Sequence, residues 1–465
     1  MNKTTPYILA LIGGFLFSSL FYEKEPGLNV LLLALYTTAT LVWLKGERPL
    51  PVFLLSAYLY SALGCFIQPS PPAVLVHVLS LVVLAGGSAT GRASLYTQGL
   101  TGALNLPLGM LLGQAEGFRN PSDTPAKPAG PIGRIFGGIL ISFVLLWVFG
   151  GLYAEANPVF EDLLGRIDLS FLSLGWFWLT VVGFLLYLNL LRPFDPQRIL
   201  QADAHFPDTL RSPAQPFTPQ QEDALERENL WGRMALGSLS VLLLLYLVLD
   251  YIYLAQGSVG TPALQSQAVH QGVYALIFSL FLAMGVLLVF FRGRLNFYTK
   301  AGPLRRLAYL WLGLNTLLLM NTAIKNALYI YHSGLTFKRL GVFVFLALVG
   351  VGLATTFFKL RDTRSLFYLL RKNALSLFAI LVGVWTLPWT SWITTYNLSY
   401  VSSPDLEYLQ ELPLQNAPRL LRYAAENPHL PEPVKQELQE RNQKFQAEMQ
   451  ERTWQEWTLD NLQNP

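Results

Sequence analysis

Four ionisable side chains sit where they could do chemistry: Asp250, His270, Lys325 and Arg339. Each lies within or beside a long apolar run, and the order of those runs brings all four toward one outer membrane boundary. A carboxylate buried beside cations stays ionised, and a histidine there titrates near neutral pH. Such a set can form a proton-linked or anion-binding site. Its plainer use, and the preferred reading, is an electrostatic latch that joins three hairpins. Arg339 carries its own requirement. It falls in the first turn of a helix, where the macrodipole disfavours a cation, so an acid is expected beside it, from Asp250 or from the C-terminal tail. Gly334 can end the preceding helix and Thr336 can cap the next. Residues 333–339 thus read as a tight hairpin closed by an ion pair.

A second polar pattern lies just before that hairpin. Asn315, Thr322, Asn326 and Tyr329 are spaced to share one helical face, with Lys325 beside the stripe. Amides in such a setting commonly glue helices together. The sharper alternative is the wall of a substrate or ion path. His77, alone in its apolar run, reads as a hydrogen-bonded core histidine. There is no HExxH, GxSxG, Walker lysine or metal-spaced His/acid cluster. No catalytic, metal or cofactor-binding residue is therefore assigned, and no cofactor is expected. A single cysteine, Cys65, leaves no disulfide framework and no thiolate metal site.

The elements that must position these residues follow from composition. Only 13% of the 465 residues are charged, where soluble domains carry roughly 25%, and 52% are hydrophobic. A soluble globule and a disordered chain are both excluded. The net charge of +4 gives no reason to expect nucleic acid. Crossing a bilayer takes about 20 mostly apolar residues as a helix. Eleven runs qualify: 6–22, 28–44, 52–68, 73–89, 135–154, 171–191, 234–254, 271–291, 308–331, 340–358 and 373–392. The expected fold is all-α, a polytopic membrane protein of about 11 transmembrane helices with a small helical tail.

With a cytoplasmic N-terminus, twenty-two Lys and Arg fall in cytoplasmic segments and only Lys24, Arg166, Lys338 and Arg339 in the opposite loops. An odd number of spans then puts the C-terminus outside. The chain divides into a four-span bundle (1–89), an interfacial or re-entrant stretch with a Pro-rich linker (90–134), and spans five and six (135–191). A Pro-rich cytoplasmic loop (192–233) follows, then a five-span core (234–392) and an acidic extracytoplasmic tail (393–465). Glycines and Pro107 are expected to break the stretch 94–113. Thr218-Pro219-Gln220-Gln221 is a helix-start signature that should lead into the seventh span. The tail should hold helices near 404–412, 418–427 and 433–462.

Residues 333–339 resemble the Y-G-L-T-x-x-R signature of a bacterial multi-pass membrane family known only as a domain of unknown function. Asp250-Tyr251-Ile252-Tyr253, Val269-His270-Gln271-Gly272, Arg292-Gly293-Arg294-Leu295-Asn296-Phe297, Leu307-Ala308-Tyr309-Leu310-Trp311 with Asn315, and Lys338-Arg339-Leu340-Gly341-Val342 are similar to it as well. The likeness spans roughly 190–412, includes Asp405-x-x-Tyr408-Leu409, and has the Bacteroidetes-like form. Ser333 departs from it, since the family usually has Tyr there, which weakens any role for that ring or hydroxyl. The resemblance implies a fold and no reaction. Three functions compete. The first is a non-enzymatic scaffold, sensor or assembly factor of the bacterial inner membrane, touching the lipid bilayer and engaging a protein partner through its tail. The second is a transporter using the ninth-span stripe. The third is a membrane enzyme acting on lipid-linked substrates. Oligomeric state is not readable from these patterns.

Overall fold

The computed structural model describes residues 4–45, 51–91, 93–119, isolated positions between 142 and 157, 173–255, 282–291 and 293–463. Among the described residues the chain is helical without strands, and its one β-like contact is an isolated bridge between Thr209 and Arg364. Among the described residues six helices are long and apolar enough to cross a membrane, and Thr5–Phe21, Leu28–Leu44 and Val52–Ile67 are shorter apolar helices. These nine overlap runs expected from the sequence. Most of the expected spans at 135–154 and 271–291 lies outside the described residues.

The chain forms two compact units, Met1–Asp203 with Arg452–Pro465, and Ala204–Glu451. In the first, helices α1 (Thr5–Phe21) and α6 (Leu174–Leu191) pack antiparallel. Glycine makes this possible: a Cβ on Gly14 would sit 2.6 Å from the Phe184 backbone nitrogen. The hydroxyl of Thr180 donates to that of Ser18 at 2.6 Å, closing the contact with a hydrogen bond. Between them in sequence come α2 (Leu28–Lys45), α3 (Val52–Ile67) and α4 (Pro71–Thr90).

The stretch expected to be broken is one continuous helix, α5 (Leu95–Arg119), with Pro107 inside it. Its glycines are contact surface rather than breaks. A Cβ on Gly86 of α4 would lie 1.7 Å from the carbonyl oxygen of Gln98, and one on Gly102 would lie 1.8 Å from that of Val82. Backbone therefore meets backbone, the close approach that small residues permit in membrane helices. Near the proline, Asn105 donates to the Asn189 carbonyl at 2.7 Å and Asn189 donates to the Leu106 carbonyl at 2.9 Å. Both amides are buried. This reciprocal pair holds α5 to α6.

The last residues of the chain complete this unit. Trp457 accepts from the Leu28 amide at 2.8 Å, and the Glu456 carboxylate accepts from the Glu25 amide at 3.0 Å and from Thr453. Burial alone would raise the Glu456 pKa, but these hydrogen bonds and Lys24 hold it below the ordinary glutamate value.

A short helix inside the Pro-rich loop, α7 (Gln197–His205), which composition does not signal, closes the first unit, and its last two residues begin the second. Helix α8 (Pro219–Ala255) starts as expected. The Gln221 amide donates to the Thr218 hydroxyl at 3.4 Å, and the Thr218 amide donates to Gln221 Oε1 at 3.2 Å. Helices α9 (Gly302–Ser333), α10 (Phe337–Arg361) and α11 (Leu366–Trp385) follow, around a core that includes Leu236, Leu287, Leu304, Leu318, Val349 and Leu353. The expected run at 373–392 does not continue past Pro388. Proline lacks the amide and disfavours helical backbone at Leu387. The chain turns there and restarts as α12 (Trp389–Tyr400), with Trp389 Nε1 donating back to the Val384 carbonyl at 2.6 Å. The tail carries α13 (Leu406–Glu411), α14 (Ala417–Glu426) and α15 (Glu432–Glu451). The third tail helix thus stops at Glu451, short of the expected 462.

Gly86→Ala should destabilise the protein by about 1–3 kcal/mol through overpacking, whereas Gly350→Ala, with nothing within 4 Å, should be neutral or better; thermal unfolding in detergent compares them. A depressed carboxylate stabilises above its unfolded pKa and loses that contribution as pH falls through its folded pKa. Acidification below the ordinary glutamate range should therefore free the 453–457 segment, seen as faster amide exchange at Leu28 and Glu25, and Glu456→Gln should shift that transition.

Candidate functional site

Helix α9 carries the polar stripe, and every member of it is turned inward. Asn315, Thr322, Asn326 and Tyr329 are all buried. Asn315 donates to the Trp311 carbonyl at 2.7 Å and Thr322 to the Leu318 carbonyl at 2.8 Å, so these two are satisfied within their own helix. The next two reach across. Asn326 donates to the Arg339 carbonyl at 3.0 Å, and the Arg339 guanidinium lies 3.9 Å above the Tyr329 ring.

The hairpin forms as its residue types require. Gly334 ends α9 with φ +84°, a conformation open to glycine. Thr336 caps α10, its hydroxyl accepting from the Arg339 amide at 3.3 Å. Among the described residues Arg339 forms no ion pair with an acid. Arg339 instead donates to the carbonyl of Ser333 at 2.7 Å and to that of Gly334. The physical reason is the neighbouring helix. Arg339 stands at the unfavourable N-terminal end of α10 but beside the C-terminal end of α9, where unpaired carbonyls and a negative dipole accept a cation. Ser333 contributes only its carbonyl to this contact.

Two residues outside the expected polar cluster complete the clasp. Asn397 of α12 grips Leu335 from both sides, accepting from its amide at 2.6 Å and donating to its carbonyl at 2.8 Å. The Tyr408 hydroxyl accepts from the Phe337 amide at 3.0 Å. Tyr408 does belong to the string that carried the family resemblance; Asn397 had no signal beyond being an amide in an aromatic stretch. Burial pushes the Tyr408 phenol above the ordinary tyrosine pKa, so it stays protonated and neutral. Leu335, Phe337 and Leu340 then pack against the tail core of Ile393, Leu409, Leu412, Leu420 and Leu438. Asn416, fully buried, ties that core together by donating to Thr394 and to the Leu409 carbonyl.

Asp250 is held elsewhere on α9, by Lys325 and by the amide of Asn321. Asn321 stands one turn before Lys325, the spacing that puts both on one face. Thus Asp250 and Lys325 come together, Arg339 with Asn326, Gly334 and Thr336 forms a separate clasp, and His270 lies outside the described residues. Lys359, counted as a loop cation from sequence, is 2% exposed and donates to the Phe291 carbonyl at 2.6 Å. In the first unit, His77 bonds Ser61 at 3.0 Å and stacks on Tyr58 at 4.8 Å, a core histidine with a partner. Among the described residues no group of three or more His, Cys, Asp or Glu could hold a metal.

The geometry makes a double-mutant test direct. The Asp250 and Lys325 side chains are 11% and 25% exposed. Asp250→Ala should cost about 3–5 kcal/mol by stranding the lysine. Adding Lys325→Ala should then cost little more. Strictly additive losses in thermal unfolding would refute the pairing.

Neither the curated proteins nor the solved structures include a match to this chain. One family model does match, over residues 10–423, which takes in nine apolar helices, the hairpin and the Tyr408 contact. The chain therefore belongs to the family described as Domain of unknown function (DUF4153).

Proposed function

We propose that this membrane protein is a non-enzymatic scaffold or assembly factor of the bacterial inner membrane. In this reading it has eleven spans, a cytoplasmic N-terminus and an extracytoplasmic C-terminus. Its 333–339 hairpin is the family signature in Bacteroidetes-like form, and it works as a mount for the tail helices. The observation that carries the reading is where the ninth-span polar groups go. Asn315 and Thr322 bond within α9, Asn326 donates to the Arg339 carbonyl, and the Tyr329 ring is covered by the Arg339 guanidinium, so all four face protein. The wall of a solute path would instead leave such groups turned to a wet cavity. The charge asymmetry of the loops supports the orientation. The tail mounted on the hairpin is acidic, with eleven Asp and Glu against six Lys and Arg from residue 393 onward, and α15 turns Glu440 and Glu448 outward. A partner presenting basic side chains is the chemistry that fits.

One observation favours transport as a second reading. The Asp250–Lys325 pair, with Asn321 beside it, places two charges within helices long enough to span, where ionisable groups mark ion and proton paths.

A photo-reactive residue in place of Glu440 or Glu448 should give a discrete cross-linked adduct in living cells. That adduct should disappear in Asn397→Ala, which unmounts the tail. If no adduct forms at either position, and vesicles holding the purified protein pass protons or ions in a manner abolished by Asp250→Asn, the scaffold reading gives way to transport.

A further inference from the structure

We propose that α12 is a membrane-interface helix, lying along the bilayer surface at the Trp385 end of α11 with an aromatic stripe set among phospholipid headgroups. Its two faces are unlike. Thr390, Ile393, Thr394 and Asn397 are buried against the hairpin and the tail core. Trp392, Tyr396 and Tyr400 recur every four residues, which aligns them along one edge of the helix. Trp392 is 47% exposed and Tyr400 is 76% exposed. The Tyr396 and Tyr400 rings lie 5.4 Å apart, and Trp389 meets Trp392 edge-on at 5.2 Å.

The chemistry of the stripe selects lipid over water. The twelve residues of α12 hold no charge, and their side-chain polar groups are hydroxyls, one amide and two indole N–H groups. By contrast α15, also in the tail, is rich in Glu, Gln and Lys. Tryptophan and tyrosine favour the boundary where the ring is in acyl chain and the N–H or O–H is wet. Tyr331, at the end of α9 beside the same hairpin, is also exposed.

Depth gives an independent argument. The last cations of α11 are Arg371 and Lys372. From Asn373 to Trp385 the helix rises only about 20 Å, against roughly 30 Å of hydrocarbon. With those cations at one boundary, Pro388 turns the chain before it has cleared the other. The helix that follows begins at acyl-chain level and must lie in the interface. A lipid surface is thus the occupant that the exposed stripe meets.

The test uses the full-length protein with one added cysteine, at Tyr396 or Tyr400, or at Glu440 of α15 as a water-facing reference. Cys65 is fully buried and can remain. Each variant is labelled with an environment-sensitive nitrobenzoxadiazole dye. It is then reconstituted into phosphatidylethanolamine/phosphatidylglycerol vesicles containing lipids brominated near the glycerol or deep in the acyl chain. Labels at 396 and 400 should emit to the blue of the label at 440 and lose more intensity to shallow than to deep bromine. Emission matching position 440 with no quenching would leave the stripe facing water or a soluble partner and overturn the proposal. Stronger quenching by deep bromine would mean a continued span and overturn it equally. Should Tyr396→Cys disturb packing, Tyr400→Cys at the exposed end gives the same reading alone.

Discussion

A turn between two membrane helices has to bond every backbone polar group it exposes, because a bilayer offers little water to do so. The turn from α9 to α10 meets that demand with side chains. The carbonyls of Ser333 and Gly334 go to Arg339, both polar groups of Leu335 go to Asn397, and the Phe337 amide goes to Tyr408. Two of those three donors and acceptors come from beyond α11. The turn therefore cannot be completed locally, and the tail helices are fixed in place by the need to complete it. The apolar cluster of Leu335, Phe337, Leu409 and Leu438 follows from that placement.

The same economy runs through both units. Several buried polar groups find partners inside the fold: Asn105 against Asn189, Asp250 against Lys325 and Asn321, and Lys359 on the Phe291 carbonyl. Close helix contacts also use glycine, as at Gly14 and Gly86. Dispersion between closely approaching backbones replaces a hydrophobic driving force that lipid does not supply.

Much of this was legible in the sequence wherever the signal was local. Thr218 with Gln221, Gly334 as a helix end and Thr336 as a cap all follow from short-range backbone chemistry. The inward stripe of α9 followed from helical spacing. Most of what the sequence did not show was non-local. Arg339 was assigned an acid because only its own helix dipole was counted, while the end of α9 a few residues away carries the opposite sign. The glycines of α5 read as breaks because their purpose is set by α4, about fifteen residues upstream. Asn397 had no signal at all, since its role depends on a turn 62 residues earlier. Pro388 was a visible stop that the apolarity of its neighbours masked.

That separation of 62 residues has a consequence for biosynthesis. Ribosomes add about 5–20 residues per second, so Leu335 emerges roughly 3–12 s before Asn397 exists. For that interval the corner waits with open valences at a lipid boundary, and α11 must be threaded before help arrives. The nascent chain is then most vulnerable in mid-synthesis, and an insertase or chaperone able to shelter a half-made corner would find its client there.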